Sequence, residues 1–422
     1  MTLKKSLLGG ACLGLQPLLL NALSVPAMAY IIRGLGATAY GQWTMATALT
    51  ATIGLLANLG LRGVFVRHVA AHPENASAAV AQQLGLRLAL AVLAALLLIS
   101  VCIALRYPPI VIGCALISAA AMIATTAATT LIDLLQALHR STTVAMVNLI
   151  AGLILTFSSV LVVWIGFGPI GLALAYLVGP IASVTMLTVM VQRTQAIRVR
   201  LSLRGATSLL KQSRSFASQQ LLNNACLYAD ALLLPRLIGA TGFGFYSAGA
   251  LLPNRLSVVP DGLCTAAYPL LTRRFRENPA SAVRMTFGYL GIVLFACLPL
   301  AIFVALLSGP IARILFPHQP EICRQVILVT IWTLPLFGIE SVLGYAINAA
   351  GADAAQARAS LPAAMCNIAL TIILMSRLGI AGACIAIPLR NAVRIVILGI
   401  CFMRNVWTHL PNDLISQAAL AT

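Results

Sequence analysis

Residues 16 to 41, QPLLLNALSVPAMAYIIRGLGATAYG, return without a gap at 219 to 244 as QQLLNNACLYADALLLPRLIGATGFG, with ten of 26 positions identical. The identities include polar residues that hydrophobic drift does not reproduce: Gln16 with Gln219, Asn21 with Asn224, Arg33 with Arg236, and the turn Gly36 to Gly41 with Gly239 to Gly244. An offset of 203 residues is close to half of 422, so the chain reads as two copies of one unit. Internal repeats of this size are the hallmark of many membrane transporters. A second pair of short matches lies near the end of each half, Gly168-Pro169-Ile170-Gly171 and Gly379-Ile380-Ala381-Gly382. Small residues there are expected to let helices pack closely.

The copies are too apolar for a soluble domain. Charged residues make up 9% of the chain and hydrophobic residues 60%, against a charged share of about one quarter in soluble proteins. A span needs roughly 20 apolar residues. The runs give twelve candidates: 7–32, 43–61, 84–105, 109–134, 143–165 and 170–191, then 216–238, 244–270, 285–308, 324–349, 359–376 and 379–402. Six fall in each half, so the domains are expected at 1–200 and 201–422, joined by a basic linker at about 192–215. That linker has the composition of an amphipathic segment on anionic headgroups.

The formal charge of +18 is distributed by side. Lys4, Lys5, Arg62, Arg67, Arg140, the linker arginines, Arg273, Arg274, Arg276, Arg284, Arg358 and Arg404 collect on one face; the opposite face receives only Arg33, Arg106, Arg236, Arg313, Arg324 and Arg377. This is the positive-inside pattern, with both termini cytoplasmic, and it argues against a nucleic-acid partner. An even number of crossings separates the copies, so the two halves share one orientation. Lys4, Lys5, the apolar run and Ala27-Met28-Ala29 have the outline of a secretory signal, but cleavage would delete the counterpart of the 216–238 helix, so the segment is read as the first span. The ten cysteines lie almost all in spans without metal spacing and read as apolar filler. No metal site or cofactor is expected.

Arg33-Gly34-Leu35-Gly36-Ala37-Thr38-Ala39-Tyr40-Gly41, the small-residue helix that follows it to Asn58-Leu59-Gly60, Tyr268-Pro269, and the short loops Gln136 to Arg140 and Asn348 to Gly351 carry a resemblance. They are similar to the lipid-linked oligosaccharide flippases of the multidrug/oligosaccharidyl-lipid/polysaccharide exporter superfamily. The resemblance implies an all-α polytopic fold of twelve transmembrane helices in two parallel-related six-helix lobes around a central cavity. It further implies an undecaprenyl-pyrophosphate-linked glycan as cargo, flipped by alternating access from the cytoplasmic to the periplasmic leaflet of a bacterial inner membrane. Polysaccharide polymerase and chain-length machinery would then be partners.

Charges inside spans cost about 2.5–3.5 kcal/mol each and require a reason. Arg255 lies in the eighth span, and Arg390 and Arg394 stack one turn apart in the twelfth. Two guanidinium groups on one face need an anion or a carboxylate between them, and a pyrophosphate fits such a fork. Either these three bind the cargo's anion, or they pair with buried acids such as Asp230, Asp261, Glu340 and Asp133. Arg255 and Asp230 align with Thr52 and Ala27, so these charges belong to the second half alone, which favours the ligand. Arg87, near the start of the third span, is expected to snorkel to the interface, and Asp133 to end its helix there.

On the seventh span Gln219, Asn223 and Asp230 form one polar stripe, and Gln220, Asn224 and Tyr228 another. These amides and the phenol, with the first-copy counterparts Gln16 and Asn21, suit sugar hydroxyls or interhelical hydrogen bonds. Asp230 and Glu340 are the candidates for a coupling proton or sodium ion. Pro17, Pro26, Pro253, Pro260 and Pro388 are candidate kinks. An ion-coupled multidrug exporter of the same superfold is the nearest alternative, but a pump for cations should present acids and aromatics rather than arginine. A membrane-embedded polymerase or acyltransferase would need a buried histidine or a large outer loop, whereas all five histidines fall in loops or tails. The major-facilitator class lacks support because its charged loop after the second span is missing.

Overall fold

The computed structural model describes residues 3–57, 61–62, 65–66, 69, 72, 76–138, 140–195 and 237–404. These residues are almost entirely helical. In chain order the helices are α1 (Leu3–Gly54), α2 (Ala76–Ala104), α3 (Pro109–Ala137), α4 (Ser141–Ile165), α5 (Gly168–Gln195) and α6 (237–256). They continue with α7 (Val258–Glu277), α8 (Pro279–Leu306), α9 (Ser308–Leu315), α10 (Pro320–Thr330), α11 (Thr333–Ala349) and α12 (Asp353–Phe402). A short 3-10 turn, Leu55–Ala57, follows α1.

Eight helical stretches among the described residues are long and apolar enough to cross a membrane. The chain is therefore a multi-pass, all-α membrane protein. The difference from twelve expected spans has local causes. α1 and α12 run 52 and 50 residues, far beyond a bilayer at 1.5 Å per residue, and each is two helices meeting at one glycine, Gly36 (φ 73°) or Gly379 (φ 56°). The expected seventh span, 216–238, lies almost wholly outside the described residues, as does most of the linker at 192–215. The eighth divides at Ser257 into α6 and α7.

The breaks fall at duplicated glycines. Gly36 and Gly239 (φ 68°) occupy the same position of the first repeat, and Gly168 (φ 66°) and Gly379 that of the second. A left-handed backbone costs other residues about 1–2 kcal/mol, so glycine is required there by conformation, beyond the packing role expected for it. The second glycine of each late match serves close approach: a Cβ on Gly171 would strike Phe167, and one on Gly382 the Leu374 carbonyl. Pro17, Pro26 and Pro388 do not interrupt their helices, whereas the division at Ser257 lies between Pro253 and Pro260, and Pro260 has no N–H to offer the Leu256 carbonyl. Pro26 and Pro388 sit within helical backbone, and the interruptions of α1 and α12 are at Gly36 and Gly379.

Contacts divide the chain into two compact units. The first comprises Met1–Asn224 with Ala240–Gly244, and the second Ala225–Gly239 with Phe245–Thr422. In the first unit α1 packs on α4, α3 on α5, and α2 on α3. A core of Phe65, Val80, Leu131, Leu134, Leu135 and Leu187 sits toward one end. The second copy of the early turn lies within this unit: the Thr38 and Thr241 hydroxyls hydrogen-bond at 2.9 Å, Gly41 backs onto Ala240, and Gly244 backs onto Ala37. In the second unit α11 packs against α7, α8 and α12. Cys264, Val293, Cys297, Leu334 and Val342 fill one cluster, and Leu271, Phe275, Val283, Ile347 and Phe402 another. At the arginine-rich end of α7, Arg273 Nε donates to Glu277 at 2.6 Å, and this bond holds the Glu277 carboxyl below the usual carboxylate range.

Candidate functional site

The second unit places two of the expected anion residues, Arg390 and Arg394, on the helix that packs against α11. Glu340 lies in the first half of α11, buried against α12. Arg394, on α12, sets its Nε 3.1 Å from Glu340 Oε1, with both side chains largely buried. Arg390, one turn earlier on the same face, donates from Nε to Asn391 Oδ1 at 3.3 Å. Among the described residues, both guanidinium groups of this wall face the Glu340 carboxylate, deep in a span. The residue read from sequence as a coupling-ion site is thus the ion-pair partner of a residue read as an anion site. Arg255 is half-buried on α6.

α11 carries a second polar contact on another flank, roughly 140° round the helix at 100° per residue. Tyr345 Oη donates to Asp261 Oδ1 on α7 at 3.1 Å and shares a 3.0 Å hydrogen bond with the Thr265 hydroxyl. The Tyr345 ring meets Tyr268 edge-on, with centroids 5.6 Å apart. Asp261, Thr265 and Tyr268 follow at i, i+4 and i+7, so one face of α7 is polar, and all three are exposed. A carboxylate turned toward acyl chains is costly, so this face belongs to water. Hydroxyls, a carboxylate and two rings on a wetted helix face suit a sugar, which needs donors and acceptors together. Tyr345 and Thr265 were not singled out from the sequence: a lone tyrosine or threonine in an apolar helix carries no periodic signal.

Tyr345→Phe tests the exposure of this cluster. Asp261 and Thr265 can rehydrate, so the expected loss is about 1 kcal/mol or less, read as a small drop in thermal unfolding midpoint. A large drop would mean that the cluster is sealed from water.

The first unit contains a charge network that corrects the reading of Arg87 and Asp133. Arg87 does not snorkel: it is 2% exposed, and its Nη1 donates to Asp133 Oδ2 at 3.0 Å and to Thr130 Oγ1 at 3.3 Å. Asp133 is likewise buried and also takes Arg62 Nε at 3.0 Å on Oδ1, while Arg62 Nη2 donates to Gln136 at 2.7 Å. Burial drives the pairing, because an unpaired charge there would cost several kcal/mol. Arg255 and Asp230 align with uncharged residues of the first copy, but buried charge as such is not confined to the second half. Each unit holds an arginine–carboxylate pair, with the acid on the fourth expected span in one and the tenth in the other.

Of the expected glycan-facing residues, Gln16 and Asn21 are half-buried on α1. Gln219, Asn223, Asn224 and Tyr228, and the second coupling candidate Asp230, lie outside the described residues.

The fold is shared with solved multi-pass membrane proteins. The chain resembles an inward-facing multidrug resistance MATE family transporter of the MOP superfamily at a TM-score of 0.67, with 14% identity, over 93% of this chain and 98% of that one. The lipid II flippase MurJ in an inward closed conformation gives a TM-score of 0.63 and 15% identity, over 91% and 87%. The family is fixed by sequence: the model described as polysaccharide biosynthesis protein matches residues 31–322, and the chain belongs to that family. A Shigella flexneri protein assigned as an O-antigen transporter is 24% identical over 196 residues, which span 45% of this chain and 44% of that relative.

Proposed function

We propose that this protein is a flippase for an undecaprenyl-pyrophosphate-linked oligosaccharide, moving it from the cytoplasmic to the periplasmic leaflet of a bacterial inner membrane by alternating access. It would act in cell-surface polysaccharide export, with both termini cytoplasmic and without catalysing a covalent step. The observation that carries this reading is the wall of α12, where Arg390 and Arg394 stand one turn apart on one face, with Arg394 against Glu340. A pyrophosphate is the anion that such a fork accepts best. Family membership and the assignment of the Shigella flexneri relative support the glycan part of the reading. The polar face of α7 with Tyr345 offers partners for the sugars, while the prenyl chain stays in lipid.

Coupling fits the same wall. A cation arriving at Glu340 competes with the Arg394 guanidinium and frees it for the pyrophosphate, so cation entry and cargo binding would favour each other. The multidrug-exporter alternative rests on the MATE-like fold. A pair of arginines on α12 is a poor site for an organic cation.

The test is translocation of a fluorescent polyprenyl-pyrophosphate glycan in proteoliposomes. Arg390→Ala is expected to slow flipping about tenfold or more, in line with one charge-assisted hydrogen bond of about 1.5–3 kcal/mol. Replacing Glu340 and Arg394 together by glutamine removes the pair without stranding a charge and should slow flipping similarly. Unimpaired flipping in both variants removes the anion site. Drug efflux without glycan-lipid flipping by the parent protein establishes the exporter instead.

A further inference from the structure

A cavity of about 390 Å³ opens at the end of α8, walled by Leu306, Ser308, Arg313, Glu321 and Arg324 among others. Its depth in the membrane follows from helix length. α8 begins beside the basic cluster Arg273, Arg274, Arg276 and Arg284 and runs 28 residues. At 1.5 Å per residue it rises about 42 Å, the thickness of a bilayer with its headgroups. The cavity therefore sits at headgroup level on the arginine-poor side, a full membrane away from that cluster.

Its lining has two characters. Arg313 on α9 and Arg324 on α10 are exposed cations, and Glu321 approaches Arg324 only at 3.5 Å, so the wall carries two guanidinium groups and one loosely held carboxylate. Leu306, on the wall, is 76% exposed, and Ile314 on α9 is 54% exposed, which puts hydrocarbon-facing surface beside the cations. The volume lies in the range of small-ligand sites, about 300–1,000 Å³. A cationic recess with an apolar lip at headgroup depth matches a phosphate that is attached to acyl or prenyl chains.

We propose that this cavity binds the phosphate of a membrane lipid on the arginine-poor side of the membrane. Arg313 and Arg324 hold the phosphate oxygens, Glu321 tempers their charge, and Leu306 carries the start of the hydrocarbon chain. The phosphate can come from an anionic phospholipid headgroup or from a prenyl pyrophosphate, and the site does not depend on what the chain transports.

The test is lipid binding to the full chain in detergent, followed by native mass spectrometry. Separate arms contain phosphatidylglycerol, undecaprenyl pyrophosphate, phosphatidylcholine as a zwitterionic control, and inorganic phosphate. The parent protein should retain at least one of the two anionic lipids in preference to phosphatidylcholine, and the preferred arm identifies the source. The double variant Arg313→Gln, Arg324→Gln should weaken that arm at least about tenfold, the equivalent of about 1.4 kcal/mol. Glu321→Gln should strengthen it, a change of opposite sign that impaired folding does not produce. Leu306→Asn should weaken it without altering charge. The proposal is overturned if neither anionic lipid is preferred, if both charge variants bind as the parent does, or if inorganic phosphate binds as tightly as the lipid.

Discussion

Asp133→Ala is expected to cost about 3–5 kcal/mol, because it strands Arg87 inside the first unit with its carboxylate partner removed. The exposed Arg62 swings to water and loses little; Arg87, 2% exposed within a span, cannot. The loss should appear as a marked fall in thermal unfolding midpoint and in yield from the membrane. Adding Arg87→Met to that variant should restore most of the stability, since an apolar side chain of similar length needs no counter-ion. An unchanged midpoint in Asp133→Ala, or no recovery in the double variant, would show that the pair does not hold these helices together.

The second large effect is expected at the duplicated turn. A Cβ on Gly41 would land on the Ala240 carbonyl, and one on Gly244 on the Ala37 carbonyl. In both cases the obstacle is backbone, which cannot rotate away as a side chain can. Gly41→Ala and Gly244→Ala should each abolish accumulation of folded protein or separate the two turns, breaking the Thr38–Thr241 hydrogen bond. Gly36→Ala should cost less, about 1–3 kcal/mol, since open space surrounds it and only its positive-φ backbone, in a region almost confined to glycine, resists. Gly288→Ala, on α8 with nothing near its missing Cβ, is the control and should be neutral or mildly stabilising. Size-exclusion profiles of the four variants check the order, and equal profiles for Gly41→Ala and Gly288→Ala would refute it.

The contrast between these glycines shows what the sequence carries. The repeat marked Gly36, Gly41, Gly239 and Gly244 as a set, because duplication preserves polar and small residues in register. Which of them serve backbone conformation and which serve contact is a property of φ and of the facing chain, and neither is written in spacing. Charge behaves similarly. Helical periodicity placed Arg390 with Arg394; on α3, Asp133 and Gln136, three residues apart, meet a common partner. That partner is Arg62, from beyond the end of α1, and no periodic rule reaches across a connection to a neighbouring helix. Arg87 was misread for the same reason: distance from a span's end suggests snorkelling, whereas an acid on α3 decides otherwise. Tyr345 was invisible because its value lies in meeting Asp261 and Thr265, 84 and 80 residues earlier.

α7 bears on how such a chain is made. Among the described residues it does not qualify as an apolar span, with Asp261 near its start and Arg273, Arg274 and Arg276 near its end. During synthesis, a segment this polar partitions poorly into lipid on its own, since each central charge opposes insertion by about 2.5–3.5 kcal/mol. The apolar α8 follows after a single residue, Asn278, whose side chain caps α8 by accepting from the Ser281 amide. The two helices would then leave the translocon as a pair, the second supplying the hydrophobicity that the first gives up in order to stay wet.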